Sequence, residues 1–307
     1  MTGSRRKDMR YDIRLGLAVL LALLPAATAS ADTMDRIRES GKLTLGYRTD
    51  ARPFSYMDAS GNATGYAIAL CEAVSNAVKA ESGVSSLSVQ WVPVNVEDRF
   101  ASVRDSKVDL LCGPDAETLE LRKEVAFSIP VFQGGIGALV RADAPLPLRE
   151  ILSGQPPSGP TWRGSPARIL DQKTFTAVAG TRSESWLNEK VAEFQIAANV
   201  KTVDSYEAGV ASVLDRSADV FFADRAILVD AAQSSTSAAD LLVIERLFTH
   251  EPIALALGRN DDNFRLVVDR ALSKLYTSPE FETLYLKWFG QPDDATKTFF
   301  RMSALPE

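Results

Sequence analysis

The chain has 307 residues, a net charge of -6 and a single histidine, His250. With a pI near 5.1 and no Lys/Arg cluster beyond its first residues, it lacks the basic face that nucleic acid requires. One histidine and two cysteines cannot assemble a zinc site of the common His or Cys type, and no Gly-rich phosphate loop appears, so neither metal nor cofactor is expected.

In chain order, Arg5-Arg6-Lys7, Arg10 and Arg14 precede an apolar stretch from Leu15 to Ala27, and Ala29-Ser30-Ala31 then offers small residues at cleavage spacing. Residues 1–31 therefore read as a secretory signal peptide. The apolar core is shorter than the roughly 20 residues a membrane span needs. The exported chain would start near Asp32 and reside in the periplasm. There, an even cysteine count makes a Cys71–Cys112 disulfide the natural hypothesis, with two buried thiols as the alternative.

Short apolar runs then alternate with amphipathic helical stretches, the pattern of an α/β protein with largely parallel sheets. Leu43–Tyr47 reads as a first strand. Ala67, Leu70, Cys71, Val74, Ala77 and Val78 share one helical face, which turns Cys71 inward. A second strand falls at Leu87, Val89 and Trp91, a helix follows from Arg99, and Val108–Cys112 reads as a buried strand. Ala144 to Pro166, rich in Pro and Gly, reads as an irregular surface loop with Trp162 as an anchor. Beyond it, Thr176–Ala179, Val200–Val203 and Val220–Phe222 read as strands, with helices at Ser183–Phe194 and Ser205–Leu214. Ile253–Leu257 gives a last strand, before helices marked by Phe264 to Leu275 and Phe281 to Phe289.

A weak internal repeat sets Ala101–Leu110 against Ala211–Val220, each reading as helix end, polar turn and buried strand. Chance similarity of two ordinary units is the alternative. Taken structurally, it implies two similar α/β lobes whose strands end at Cys112-Gly113-Pro114 and Phe222-Ala223-Asp224. Ligands of such sheets bind beyond the carboxyl ends of the strands, so the two turns would face each other across a cleft.

Several landmarks then fall in a familiar order: Leu45-Gly46-Tyr47-Arg48, Pro53-Phe54-Ser55-Tyr56, Gly65-Tyr66, Val108-Asp109-Leu110-Leu111-Cys112-Gly113, Ala126-Phe127-Ser128, Gly180-Thr181, Phe222-Ala223-Asp224 and Lys287-Trp288-Phe289-Gly290. With these the chain resembles the bacterial extracellular solute-binding proteins of family 3, the polar amino-acid receptors of ABC importers, and most closely their glutamate/aspartate-binding branch. The resemblance implies a type II periplasmic-binding fold: two α/β lobes joined by a two-strand hinge around a central cleft. It places the crossovers near Phe132–Gly134 and Pro252–Ala254. The implied division is 1–31 signal peptide, 32–133 first lobe, 134–252 second lobe and 253–307 a return to the first lobe. It also implies a monomer that takes a small polar ligand and docks on a membrane permease.

For the ligand, the resemblance implies contacts from Arg48, Arg99, Gly113, Thr181, Arg182 and Asp224. Asp224 matches the family's second-lobe Asp, which holds an α-ammonium, and Thr181 would offer its hydroxyl and backbone N–H to an anion. Arg48 and Arg99 point to an acidic ligand, since a guanidinium grips a carboxylate as a fork; the alternative pairs them with Asp50, Glu97 or Asp98. The sequence departs from the family after Gly113. Pro114 removes a donor, and Leu121 stands where the carboxylate-binding Arg belongs, with Arg122 one residue along. Three outcomes stay open: a re-formed site for an acidic amino acid, a site for another polar solute, or a pocket that no longer binds. An enzyme on this fold, a dehydratase using Asp115, Glu117 or Asp224 as general acid, is the rival class.

Overall fold

The structure is a computed structural model that describes residue 3 and residues 32–156 and 166–307. Apart from residue 3, the signal-peptide segment lies outside the described residues, as does Trp162. Among the described residues no helix is long and apolar enough to cross a membrane.

Two five-stranded sheets organise the chain from Asp32 onward. The first runs in the order Ser88–Pro93, Lys42–Tyr47, Leu110–Cys112, Ala256–Leu257, Ala126–Phe127, and the second in the order Asn199–Val203, Thr174–Val178, Val220–Asp224, Ile136–Arg141, Leu241–Val243. In each, the first three strands are parallel and the fourth is antiparallel to the third. This is the type II periplasmic-binding fold.

The sequence repeat is real down to single hydrogen bonds. Leu110–Cys112 and Val220–Asp224 occupy the same third place in their sheets. The turns before them both reach the left-handed region at matching positions, Ser106 at φ 55° and Arg216 at φ 68°. In the first lobe, Asp109 N–H donates to Thr44 O at 2.8 Å while its Oδ2 accepts from Thr44 N at 2.7 Å. In the second, Asp219 N–H donates to Thr174 O at 2.8 Å while its Oδ2 accepts from Thr174 N at 2.8 Å. An aspartate thus clamps the start of the central strand to the neighbouring parallel strand in both lobes.

Helices complete each layer where an apolar face meets a usable start. Tyr66–Ser82 begins at Gly65, φ 133°, where a Cβ would lie 2.2 Å from Phe54 O. Only glycine fits there. In place of a side-chain cap, Pro53 O and Phe54 O accept from the N–H groups of Tyr66 and Ala67 at 2.9 and 2.8 Å. Its buried face includes Leu70, Cys71, Val74 and Val78, as the spacing predicts.

Cys71 is bonded to Cys112 at the end of a central strand, and both are fully buried. The bond spans 41 residues, for which loop-closure entropy gives roughly 4 kcal/mol of stabilisation. Replacing both cysteines by alanine should therefore lower the unfolding free energy by about 3 to 4 kcal/mol in denaturant titration.

Some segments differ from the sequence reading. Within the stretch read as a loop, Leu146–Leu152 is helical: Pro145 and Pro147 fall at its start, where proline is tolerated, and Leu148 and Leu152 are buried. Ser88–Pro93 is an edge strand, so Val89 stays exposed. The single strand expected over Ile253–Leu257 is two short ones. Glu251–Ile253 pairs antiparallel with Phe132–Gly134, whereas Ala256–Leu257 inserts into the first sheet. Between them the chain changes partners, Ala254 N–H donating to Asp115 O and Leu255 N–H to the Ser128 hydroxyl. The helix Asp294–Ser303, unforeseen in the sequence, buries Phe300 among Tyr276, Phe281 and Tyr285.

The paired strands Phe132–Gly134 and Glu251–Ile253 form the two-strand connection of the fold. Aromatic packing anchors it: the Phe132 ring lies 5.0 Å from Phe54 and 4.6 Å from Phe289. The Tyr66 hydroxyl donates to Val131 O at 2.8 Å, and burial pushes that hydroxyl's pKa well above its ordinary value.

Candidate functional site

A cavity of about 600 Å³ lies between the sheets, within the size range of small-molecule sites. Arg48, Arg99, Thr181, Arg182 and Asp224 all line it. Gly113 lies behind the wall: a Cβ there would be 3.0 Å from Asp115 Oδ2 and 3.7 Å from Arg48 Cγ. Pro114 and Asp224, at the ends of the two repeated strands, border the same space.

Asp224 ends its strand and caps the helix Arg225–Ser234, accepting from Ala226 N at 2.9 Å through Oδ1. Oδ2 accepts from Gly135 N at 3.2 Å. The backbone can come that close because residue 134 is glycine; a Cβ there would sit 2.8 Å from Oδ2. Burial raises the Asp224 pKa to about 6, against the lowering pull of the Gly135, Ala226 and Ile227 N–H groups and with the added push of Glu251. Main-chain donors hold this carboxylate, and among the described residues no cation forms an ion pair with it.

The arginines are engaged differently. Arg48 is buried, its Nε and Nη2 donating to Asp50 Oδ1 and Oδ2 at 2.9 and 2.8 Å, and its backbone N–H donates to the Ser55 hydroxyl at 2.9 Å. Burial opposes its charge, but Tyr206, Asp50 and Asp115 outweigh that and hold its pKa above the ordinary value. Arg99 donates from Nε to Asp115 Oδ1 at 2.7 Å and from Nη1 to Val96 O, with its guanidinium 4.3 Å over the Phe100 ring. Arg48 is thus paired with Asp50, one of the partners of the alternative, although it is no surface residue, whereas the partner of Arg99 is Asp115, which the sequence reading did not pair with it. Arg182 donates to Glu251 Oε1 at 3.1 Å, tying a second-lobe helix to the connecting strand.

Thr181 has extended backbone geometry and caps the helix Arg182–Glu193, accepting from Glu184 N at 3.4 Å. Its hydroxyl proton goes to Val178 O at 2.6 Å. That proton is therefore engaged within the turn, and the anion-seeking feature left at the cavity rim is the positive end of the twelve-residue helix itself. Leu121 lines the cavity, whereas Arg122 is exposed and paired with Glu117 at 2.5 Å. Arg122 does not restore the missing first-lobe cation.

Two further residues shape the wall: Asp115, weighed in the sequence only as the general acid of the rival reading, and Tyr206, which carried no weight there. Asp115 is 4% exposed and faces the cavity. Tyr206 opens the helix Tyr206–Leu214 after its Ser205 cap and borders the same space. Burial, partly offset by Arg48, raises the Tyr206 pKa to about 12, so its hydroxyl stays neutral. The repeat held a signal for Tyr206: continued backward from Ala101 and Ala211, it sets Val96 against Tyr206, and both line the cavity.

Comparison with known proteins follows the same outline. The chain is 28% identical over 282 residues to an L-glutamate/L-aspartate-binding protein of Pseudomonas aeruginosa, covering 91% of this chain and 87% of that one. Among solved structures it resembles a cysteine-binding protein from Campylobacter jejuni, with TM-score 0.68, 22% identity, and coverage of 87% of this chain and 98% of that one. It also resembles an ancestral amino acid-binding protein described as a precursor of cyclohexadienyl dehydratase, with TM-score 0.67, 24% identity, and coverage of 84% and 100%. Because the family model for bacterial extracellular solute-binding proteins, family 3, matches residues 43–291, most of its length, the chain belongs to that family.

Proposed function

We propose that this protein is the periplasmic solute-binding component of an ABC importer and that it holds an amino acid between its two lobes. Asp224 carries the reading. A carboxylate at the cavity wall, oriented by three main-chain donors and unmatched by any cation of the described chain, is prepared for an ammonium group. The α-carboxylate of the same ligand would turn toward Arg48 and the N-terminus of the helix Arg182–Glu193. Ligand bridging of two lobes favours the closed state by its extra contacts there, and a permease reads that state.

The Pseudomonas relative binds glutamate and aspartate. Acidic selectivity in this chain would rest on Arg48 and Arg99, and both already grip internal carboxylates. The amino-acid class is therefore carried by Asp224, and the side-chain preference by a different part of the wall. Asp224 also offers a pH test. With a pKa of about 6, it is mostly ionised at pH 7 and mostly protonated at pH 5. Tyr206 does not ionise in this window, and the push of Glu251, whose own pKa burial raises, is already part of the Asp224 value. Affinity for a zwitterion such as L-glutamine should fall about tenfold from pH 7 to pH 5 in calorimetric titration. A flat profile contradicts the role of Asp224. Turnover of prephenate in an absorbance assay would replace the binding role by that of a dehydratase.

A further inference from the structure

Of the described residues that line this cavity, Asp115 alone has a buried side-chain polar atom with no hydrogen-bond partner. Its Oδ1 accepts from Arg99 Nε at 2.7 Å, and Oδ2 is left with nothing. The residue is only 4% exposed, so bulk water does not serve that oxygen well. A buried acceptor without a donor is costly, more so on a charged group. The position is nonetheless well defined. Asp115 O accepts from Ala254 N–H at 3.0 Å, and the neighbouring Ala116 bridges to Ile253. Gly113 leaves the space that Oδ2 occupies, since a Cβ there would approach it to 3.0 Å. A carboxylate of the cavity wall thus holds one buried oxygen, beside Gly113, with its donor missing.

The charges around it point the same way. Arg48, Arg99 and Arg182 are answered by Asp50, Asp115 and Glu251. The cavity wall also carries Glu97 and Glu120, beside Asp224. A ligand carboxylate arriving at Arg99 would find Nε and Nη1 already engaged by Asp115 and Val96 O, and would lie against the Asp115 carboxylate. A ligand cation would instead complete it.

We propose that Asp115 is a specificity-determining residue and that the solute is an amino acid whose side chain ends in a cation, which donates to Asp115 Oδ2. This rests on the amino-acid reading of the cavity. In it, the α-ammonium meets Asp224 and the terminal ammonium or guanidinium meets Asp115. An acidic side chain is rejected by the surrounding carboxylates, and a neutral amide is tolerated with a weaker hydrogen bond.

Calorimetric titration of the purified protein with L-lysine, L-arginine, L-glutamine and L-glutamate at pH 7.5 tests the proposal. Either L-lysine or L-arginine should bind at least about tenfold more tightly than L-glutamine, with L-glutamate weakest. The Asp115→Asn variant should shrink the ratio of basic to L-glutamine affinity by about tenfold. L-glutamine or L-glutamate binding as tightly as both basic ligands overturns the role of Asp115, as does an equal loss for all ligands in the variant. The wild-type ranking needs no variant, so it decides the matter even if Asp115→Asn does not fold. The Asp224→Asn variant separates the two readings. If it loses L-glutamine binding while no basic preference exists, the amino-acid reading survives and the role of Asp115 falls. Unchanged affinities in Asp224→Asn, or no binding of any of the four ligands to the wild type, overturn both.

Discussion

The Asp224→Ala variant is expected to bind amino acids about 30- to 4,000-fold more weakly than the wild type, the equivalent of removing one partner of a buried charged hydrogen bond at about 2 to 5 kcal/mol. The size follows from its setting. Asp224 is oriented by Gly135 and Ala226 N–H groups, so no reorganisation is needed when an ammonium arrives. The effect on folding should run the other way. The folded-state value of about 6 lies above the ordinary 3.8, so the native state binds more protons between those values and loses stability as pH rises through that window. Above pH 6 the full cost is present. Asp224→Asn cannot ionise and keeps the cap to Ala226 N–H, while its amide NH2 cannot accept from Gly135 N–H, a cost that is the same at every pH. Its stability relative to wild type should therefore rise by about 3 kcal/mol from below pH 4 to pH 7.5. Denaturant titrations at the two pH values check this, and a relative stability that does not change between them contradicts it.

The second large effect concerns the repeated aspartate clamp. Asp109 and Asp219 make the same pair of main-chain hydrogen bonds, but their side chains are 1% and 33% exposed. Asp109 also accepts from Arg36 Nη1 at 2.6 Å. Its removal takes a buried acceptor from both Thr44 N–H and Arg36, so Asp109→Ala should cost about 3 kcal/mol. At Asp219 water reaches both the vacated N–H and Lys173, so Asp219→Ala should cost about 1 kcal/mol. Equal losses in parallel unfolding experiments would show that burial does not separate the two sites.

The contrast between those aspartates also shows what the sequence could carry. The repeat 101–110 against 211–220 was legible because both halves need the same turn, clamp and buried strand, and each requirement leaves a residue type at a fixed spacing. Asp224 was legible at the end of a buried strand, opposite the turn at Gly113 and Pro114. The helical face of Cys71 and Val74 was legible from its period. The partner of Arg99 was not. Asp115 reaches it only because the segment after Gly113 is drawn alongside residues 252–254, a contact between positions far apart in the chain that no local pattern encodes. The split of Ile253–Leu257 into two strands has the same origin: five apolar residues read as one run, while the choice between two partner strands is made by Asp115 O and the Ser128 hydroxyl. The prolines at 145 and 147 signal a helix start as well as a loop, and burial of Leu148 and Leu152 decides between them.

The most direct test of the central claim is a crystal structure of the protein with its tightest-binding amino acid. The ligand's α-nitrogen should lie within about 3.2 Å of the Asp224 carboxylate, between the two lobes, with its side-chain terminus toward Asp115. A ligand carboxylate on the Asp224 side, or a ligand bound outside this cavity, would contradict the account.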